Sequence, residues 1–141
     1  MEYENDMCIY NIKYHIIWVT KYRYKVLVKP ISIRLRDLII QGCEARNIKI
    51  IKGSVGKDHV HMLVSCPPNL SPSKTVQYLK GRSSRLLQEQ YPELRKRYWG
   101  QHLWARGYFL RAVGNVTEEI VKNYIENQEI PVTKSDFKVE E

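Results

Sequence analysis

From Cys8 to Thr20 the side chains alternate in character. Tyr10, Ile12, Tyr14, Ile16 and Trp18 fall on one face, with Asn11, Lys13 and His15 on the other. A period of two predicts a half-buried strand. The polar, acidic residues 1–7 before it predict a frayed start, and Lys21 to Lys29 form a basic, aromatic connector ending at Pro30. The period then lengthens. Ile31, Leu35, Leu38, Ile39 and Cys43 recur at helical spacing and predict a helix over Ile31 to Arg46. Ile48 to Val55 and Asp58 to Ser65 predict two further strands, joined as a hairpin through Gly56-Lys57 and stopped by Pro67-Pro68. Ser71 or Ser73 can cap the next helix, with Pro72 in its first turn. That helix runs to Gln90, with Val76, Leu79, Leu86 and Leu87 on its apolar side. Pro92 to Arg97 is a short basic segment, and Gly107 to Val113 predicts a fourth strand. Asn115, with Glu118 three residues on, opens a last helix, which ends before Pro131. The charged tail beyond predicts disorder, so residues 1–7 and 132–141 are expected as flexible tails.

The order βαββαβα predicts an α+β fold. An antiparallel sheet with helices on one face, ferredoxin-like or RRM-like, satisfies it. At 141 residues the chain has room for one such domain. The sheet's second face is then available for a ligand.

Charge narrows the ligand. Lys and Arg total 23 against 15 Asp and Glu, a formal net charge of +8. That excess favours a polyanion, because each cation set on a phosphate releases condensed counterions. No apolar run is long enough to span a bilayer, and none resembles a signal peptide. Cys8, Cys43 and Cys66 lack metal-type spacing and read as reduced thiols in a cytoplasmic protein.

Two segments carry candidate chemistry. Within Asp58 to Ser65, His59 and His61 share one strand face while Val60, Met62 and Val64 share the other. Two adjacent imidazoles can bind one divalent ion, though a His-x-His pair also suits an exposed sheet face. Placement in an otherwise apolar strand favours the ion, because unsatisfied imidazoles would be costly there. Asp58 can orient one ring from behind, or simply occupy the turn. In the last helix Tyr124 and Gln128 are four residues apart and share a face. Glutamine is a weak oxygen ligand suited to Mg²⁺ or Mn²⁺ when histidines hold other positions. Tyr124 can be a nucleophile or one more residue of the apolar stripe Val116, Ile120, Val121 and Ile125.

Resemblance separates these readings. Asp58-His59-Val60-His61-Met62-Leu63-Val64 resembles the histidine–hydrophobic–histidine (HUH) motif. Tyr124 to Gln128 resembles the catalytic helix of the one-tyrosine HUH transposases, which move the smallest prokaryotic insertion sequences as single-stranded DNA. Tyr14-His15-Ile16-Ile17-Trp18 with Lys21-Tyr22-Arg23, then Lys80-Gly81-Arg82-Ser83-Ser84, then Leu103-Trp104 before Gly107-Tyr108 agree in order, so the likeness covers residues 10 to 130. It implies His59, His61 and Gln128 as metal ligands, with Mg²⁺ or Mn²⁺ as cofactor. Tyr124 is the implied catalytic nucleophile. A homodimer is also implied, with binding of DNA hairpins near element ends and cleavage to a 5′ phosphotyrosine and a free 3′ hydroxyl. Where some members have two glycines before the catalytic helix, this chain has Gly114-Asn115.

A basic and aromatic surface suits single strands and hairpin ends, where phosphates need charge and unpaired bases need stacking. Lys21, Arg23, Lys80, Arg82, Arg85, Arg97 and Trp104 are the candidate DNA contacts. Three other functions compete. A domesticated relative would process chromosomal palindromic repeats. A non-catalytic RRM-like module would bind nucleic acid through the sheet, but its glycine-and-aromatic signature is missing from the third strand. A His-based phosphodiesterase would use water in place of Tyr124.

Overall fold

Each strand has one apolar face and each helix one apolar stripe, so both must be buried against a second layer. The computed structural model describes residues 12–114, 125 and 137–140. Strands β1 (Lys13–Val19), β2 (Lys49–Val55), β3 (His59–Ser65), β4 (Phe109–Val113) and β5 (Phe137–Val139) alternate with helices α1 (Ile31–Ala45), α2 (Pro72–Gln90) and α3 (Pro92–Arg97). The strands form one sheet in the order β4-β1-β3-β2-β5. The first four pair antiparallel, as a ferredoxin-like arrangement requires. The expected α+β architecture is present.

Both long helices lie over one sheet face. Leu35, Leu38 and Ile39 of α1 join Val76, Leu79 and Leu87 of α2 in a single buried cluster with Ile16, Trp18, Val60, Met62 and Val64. Of the two candidate caps for α2, Ser71 is the one used. Its hydroxyl accepts from Lys74 N at 3.2 Å, and Pro72 takes the first helical position, where a missing N–H costs nothing. The basic segment Pro92–Arg97 is helical and buries Leu94.

The chain's end corrects one expectation. Residues 132–141 read as a flexible tail, yet Phe137–Val139 pair in parallel with β2, so the sheet is mixed. Phe137 and Val139 are buried. Gly53 of β2 clears the space, since a Cβ there would lie 3.0 Å from the Phe137 ring atoms. Phe137 and Val139 stand alone among polar and charged neighbours, too few to show a period.

The last predicted helix, Asn115 to Pro131, lies outside the described residues except for Ile125. That residue is helical and fully buried. It packs with Leu63 and Val113 on the face opposite α1 and α2. Residues 1–11, including the expected frayed start, also lie outside. Among the described residues, no helix is long and apolar enough to cross a membrane.

Met62 is fully buried between His61 and Leu63, which face the other way. Met62→Ala should lower the unfolding free energy by about 2–5 kcal/mol, measured by denaturant titration. A loss below about 0.5 kcal/mol would show that the side chain does not face the core.

Candidate active site

The candidate site is built on β3, the middle strand of the sheet. Its hydrogen-bonded neighbours set which side chains meet. Ile17 and Val19 of β1 stand opposite His61 and His59, and Ser54 of β2 stands opposite His61. His59 and His61 therefore project together from the face that carries Leu63 and Ile125. Their ring centres are 5.4 Å apart. His61 is buried and His59 half-buried.

A short turn orients His59. Gly56 N donates to His59 O at 2.8 Å, closing the hairpin around Lys57 and Asp58. The missing side chain at Gly56 leaves room for the imidazole, because a Cβ there would lie 2.7 Å from both ring nitrogens. Asp58 Oδ1 sits 2.9 Å from His59 Nδ1, and Asp58 Oδ2 is 3.2 Å from both Nε and Nη2 of Arg23. Burial opposes ionisation of Asp58. Hydrogen bonds and positive charge from His59 and Arg23 outweigh it and hold the carboxyl below its ordinary range. An ionised carboxylate only accepts, so Nδ1–H of His59 donates, and whenever the ring is neutral the lone pair is on Nε2. This is the tautomer a metal ligand requires.

A third histidine adjoins the pair. His15 of β1 lies 6.1 Å from His61, ring centre to ring centre, and 5.6 Å edge-on from Phe109. Its Nε2 is buried and has no hydrogen-bond partner among the described residues. Burial first, and then the charge of Arg111, push its pKa below the usual imidazole value, so the ring is neutral at pH 7. Sequence reasoning placed His15 on the polar face of β1 and gave it no role. Strand alternation puts His15 and Ile17 on one face of β1, but only the register with β3 sets that face beside the His pair. Gly56 was likewise read only as part of the hairpin link between β2 and β3.

The geometry suits a shared ion. Two imidazoles whose nitrogens each lie about 2.1 Å from one divalent metal need ring centres about 5 Å apart, close to the 5.4 Å found. Among the described residues no cluster of three or more His, Cys, Asp or Glu side chains is placed to hold a metal. The expected set of two histidines and Gln128 contains no such cluster. Gln128 and the expected nucleophile Tyr124 lie outside the described residues. Ile125, the residue after Tyr124 in the chain, is buried on the histidine face.

The candidate DNA contacts divide into two groups. Trp104, a candidate DNA contact that the sequence left equally open to packing, is a packing residue. It is 4% exposed, its ring stands edge-on to Trp18 at 5.8 Å, and its Nε1 donates to Ser83 Oγ at 3.0 Å. Lys80 Nζ donates to Ala105 O at 2.9 Å and Gly107 O at 2.8 Å, and burial lowers its pKa. Arg82 Nη1 donates to Leu38 O at 2.8 Å. These three brace α2 against its surroundings. Arg85 is exposed and 3.8 Å from Glu89. Lys21, Arg23 and Arg97 gather around the turn after β1, where Arg97 lies 4.1 Å over the ring of Tyr24.

Known proteins share this arrangement of sequence and fold. Residues 8–128 match the family described as transposase, IS200 like. The chain is 36% identical over 119 residues to the transposase for insertion sequence element IS200 of Salmonella typhimurium, covering 84% of this chain and 78% of that one. It is 35% identical over 120 residues to the ISDra2 transposase TnpA of Deinococcus radiodurans, covering 85% and 86%. A solved structure described as a candidate transposase from Deinococcus radiodurans superposes with a TM-score of 0.67 at 34% identity, over 82% of this chain and 89% of that one. A REP-associated tyrosine transposase solved on a REP hairpin shares the fold, with a TM-score of 0.59 at 15% identity over 82% and 62%. Sequence and fold together mark the chain as a transposase. The chain belongs to the IS200-like transposase family.

Gly56→Ala should leave the sheet intact and displace the His59 ring from Asp58, at a cost of about 1–3 kcal/mol in stability. Imidazole nitrogen NMR is the check. An unchanged Nδ1–H tautomer would contradict the steric reading.

Proposed function

We propose that this chain cleaves and rejoins single-stranded DNA beside hairpins at the ends of a mobile element. It works as a homodimer in the cytoplasm through a 5′ phosphotyrosine on Tyr124. One observation carries the reading. The two histidines share the sheet face on which Ile125, the chain neighbour of Tyr124, is buried. Family membership supports strand transfer as the activity. The REP hairpin on the fold-related transposase supports hairpin DNA as a partner.

His59, His61 and Gln128 would hold Mg²⁺ or Mn²⁺. When bound, the ion supplies Lewis acidity at the scissile phosphate and steadies the departing oxygen. The remaining work falls to the protein. Asp58 holds His59 in the ligating tautomer, and Arg23 holds Asp58. The Tyr124 phenol, with an ordinary pKa of about 10, must lose its proton as it attacks. Its oxygen then bonds to phosphorus while the bond to the 3′ oxygen breaks, and that oxygen leaves as a hydroxyl. The phosphotyrosine conserves the bond energy. A 3′ hydroxyl attacking the same phosphorus restores a phosphodiester and frees the phenol, so no ATP is needed.

Tyr124→Phe should bind hairpin DNA as the native protein does and form no covalent adduct. Labelled single-stranded DNA from the flanks of the gene, incubated with Mg²⁺ and run on a denaturing gel, measures this. An adduct of native intensity would remove Tyr124 from the mechanism, and cleavage without any adduct would favour a phosphodiesterase. Asp58→Ala should weaken Mn²⁺ binding about 10–100-fold by calorimetry, because an unsupported imidazole is a poorer ligand. Native affinity in that variant would exclude the orienting role.

A further inference from the structure

Two consecutive residues after β1, Tyr22 and Arg23, hold left-handed backbone angles, with φ of 63° and 54°. Bulky side chains rarely adopt this region. Such strain persists only where the surroundings impose it, and it clusters at functional sites. The surroundings here are explicit. Lys21 N donates to Leu103 O at 2.8 Å, Thr20 N to Asp58 O at 2.9 Å and Arg23 N to Thr20 O at 3.0 Å. Thr20 Oγ1 donates to Tyr24 O at 2.7 Å. The turn is clamped from two sides, against the 103–105 segment and against the β2–β3 hairpin.

The clamp sends two side chains apart. Arg23 turns onto Asp58, and Tyr22 turns to solvent, 67% exposed. Tyr22 is the open end of a row of mutually tilted rings. Its ring centre is 5.4 Å from that of Tyr24, which is 5.7 Å from that of Tyr98. Cations flank the row, with Arg97 4.1 Å over Tyr24 and Lys21 Nζ 5.4 Å from the Tyr22 ring. The core gains little from an exposed ring on a strained backbone.

Rings edged by cations fit unpaired nucleotides, whose bases stack while their phosphates meet the charges. A duplex hides its base faces, so a single strand is the better match. We infer that Tyr22 is a stacking platform for an unpaired base of single-stranded DNA, with Lys21 and Arg97 at the neighbouring phosphates. The platform is one residue from the Arg23–Asp58–His59 bridge, beside the candidate metal ligands. This inference rests on the proposed function for its substrate and adds where the strand lies.

Tyr22→Gly tests it without endangering the fold, because glycine accepts a positive φ freely. Its melting temperature should stay within about 5 °C of the native value. Affinity for a fluorescent oligothymidylate should fall about tenfold, and Tyr22→Phe should stay within about twofold, because the ring and not the hydroxyl stacks. Binding of a fully paired duplex should not change. Native oligothymidylate affinity in Tyr22→Gly overturns the inference. So does an equal loss on duplex, or an altered oligomeric state, which would make the ring a contact between copies. A native protein that does not hold oligothymidylate overturns it too. A native protein that holds the strand yet forms no covalent adduct defeats the proposed function and leaves the platform standing.

Discussion

Neighbouring side chains on a strand point to opposite faces, and in β3 that constraint ties the core to the chemistry. Val60, Met62 and Val64 are fully buried beneath the two long helices. Their burial fixes which way His59 and His61 must face. Slipping the register by one residue would drive imidazoles into the apolar layer and expose three large hydrophobic groups. The hydrophobic effect thus sets the position of polar groups that contribute little to it. Because β3 is paired on both sides, the two rings also inherit the rigidity of a sheet interior.

A second link joins distant parts of the chain. Arg23 and Asp58 lie 35 positions apart, and their contact binds the turn after β1 to the hairpin that presents His59. The same hairpin accepts backbone hydrogen bonds from Thr20 and Leu27. Several cations in this basic protein have such internal duties. Lys80 and Arg82 satisfy backbone carbonyls, so the formal charge of +8 overstates what is free to meet a polyanion.

The elements legible in the sequence were those with a sustained period. The spans of α1, β2, β3 and α2 match the expected boundaries within a residue or two. The His pair and the orienting position of Asp58 were legible because strand alternation and chain adjacency are local. Features that depend on tertiary contact were not. Trp104 resembles a stacking residue until Trp18 and Ser83 are seen around it. His15 looks like routine alternation until the register sets it beside His61. Phe137 gains its place only from the gap above Gly53, far away in the chain.

Position 56 makes its contribution as a vacancy in volume. A survey of chemically capable side chains would pass over it, since it has no donor, acceptor or charge of its own. Yet the imidazole of His59 occupies the room that any larger residue would claim. A protein could therefore retain both histidines and still lose the arrangement through one added methyl group. Possession of the ligating residues does not guarantee a competent centre unless the neighbouring emptiness is inherited with them.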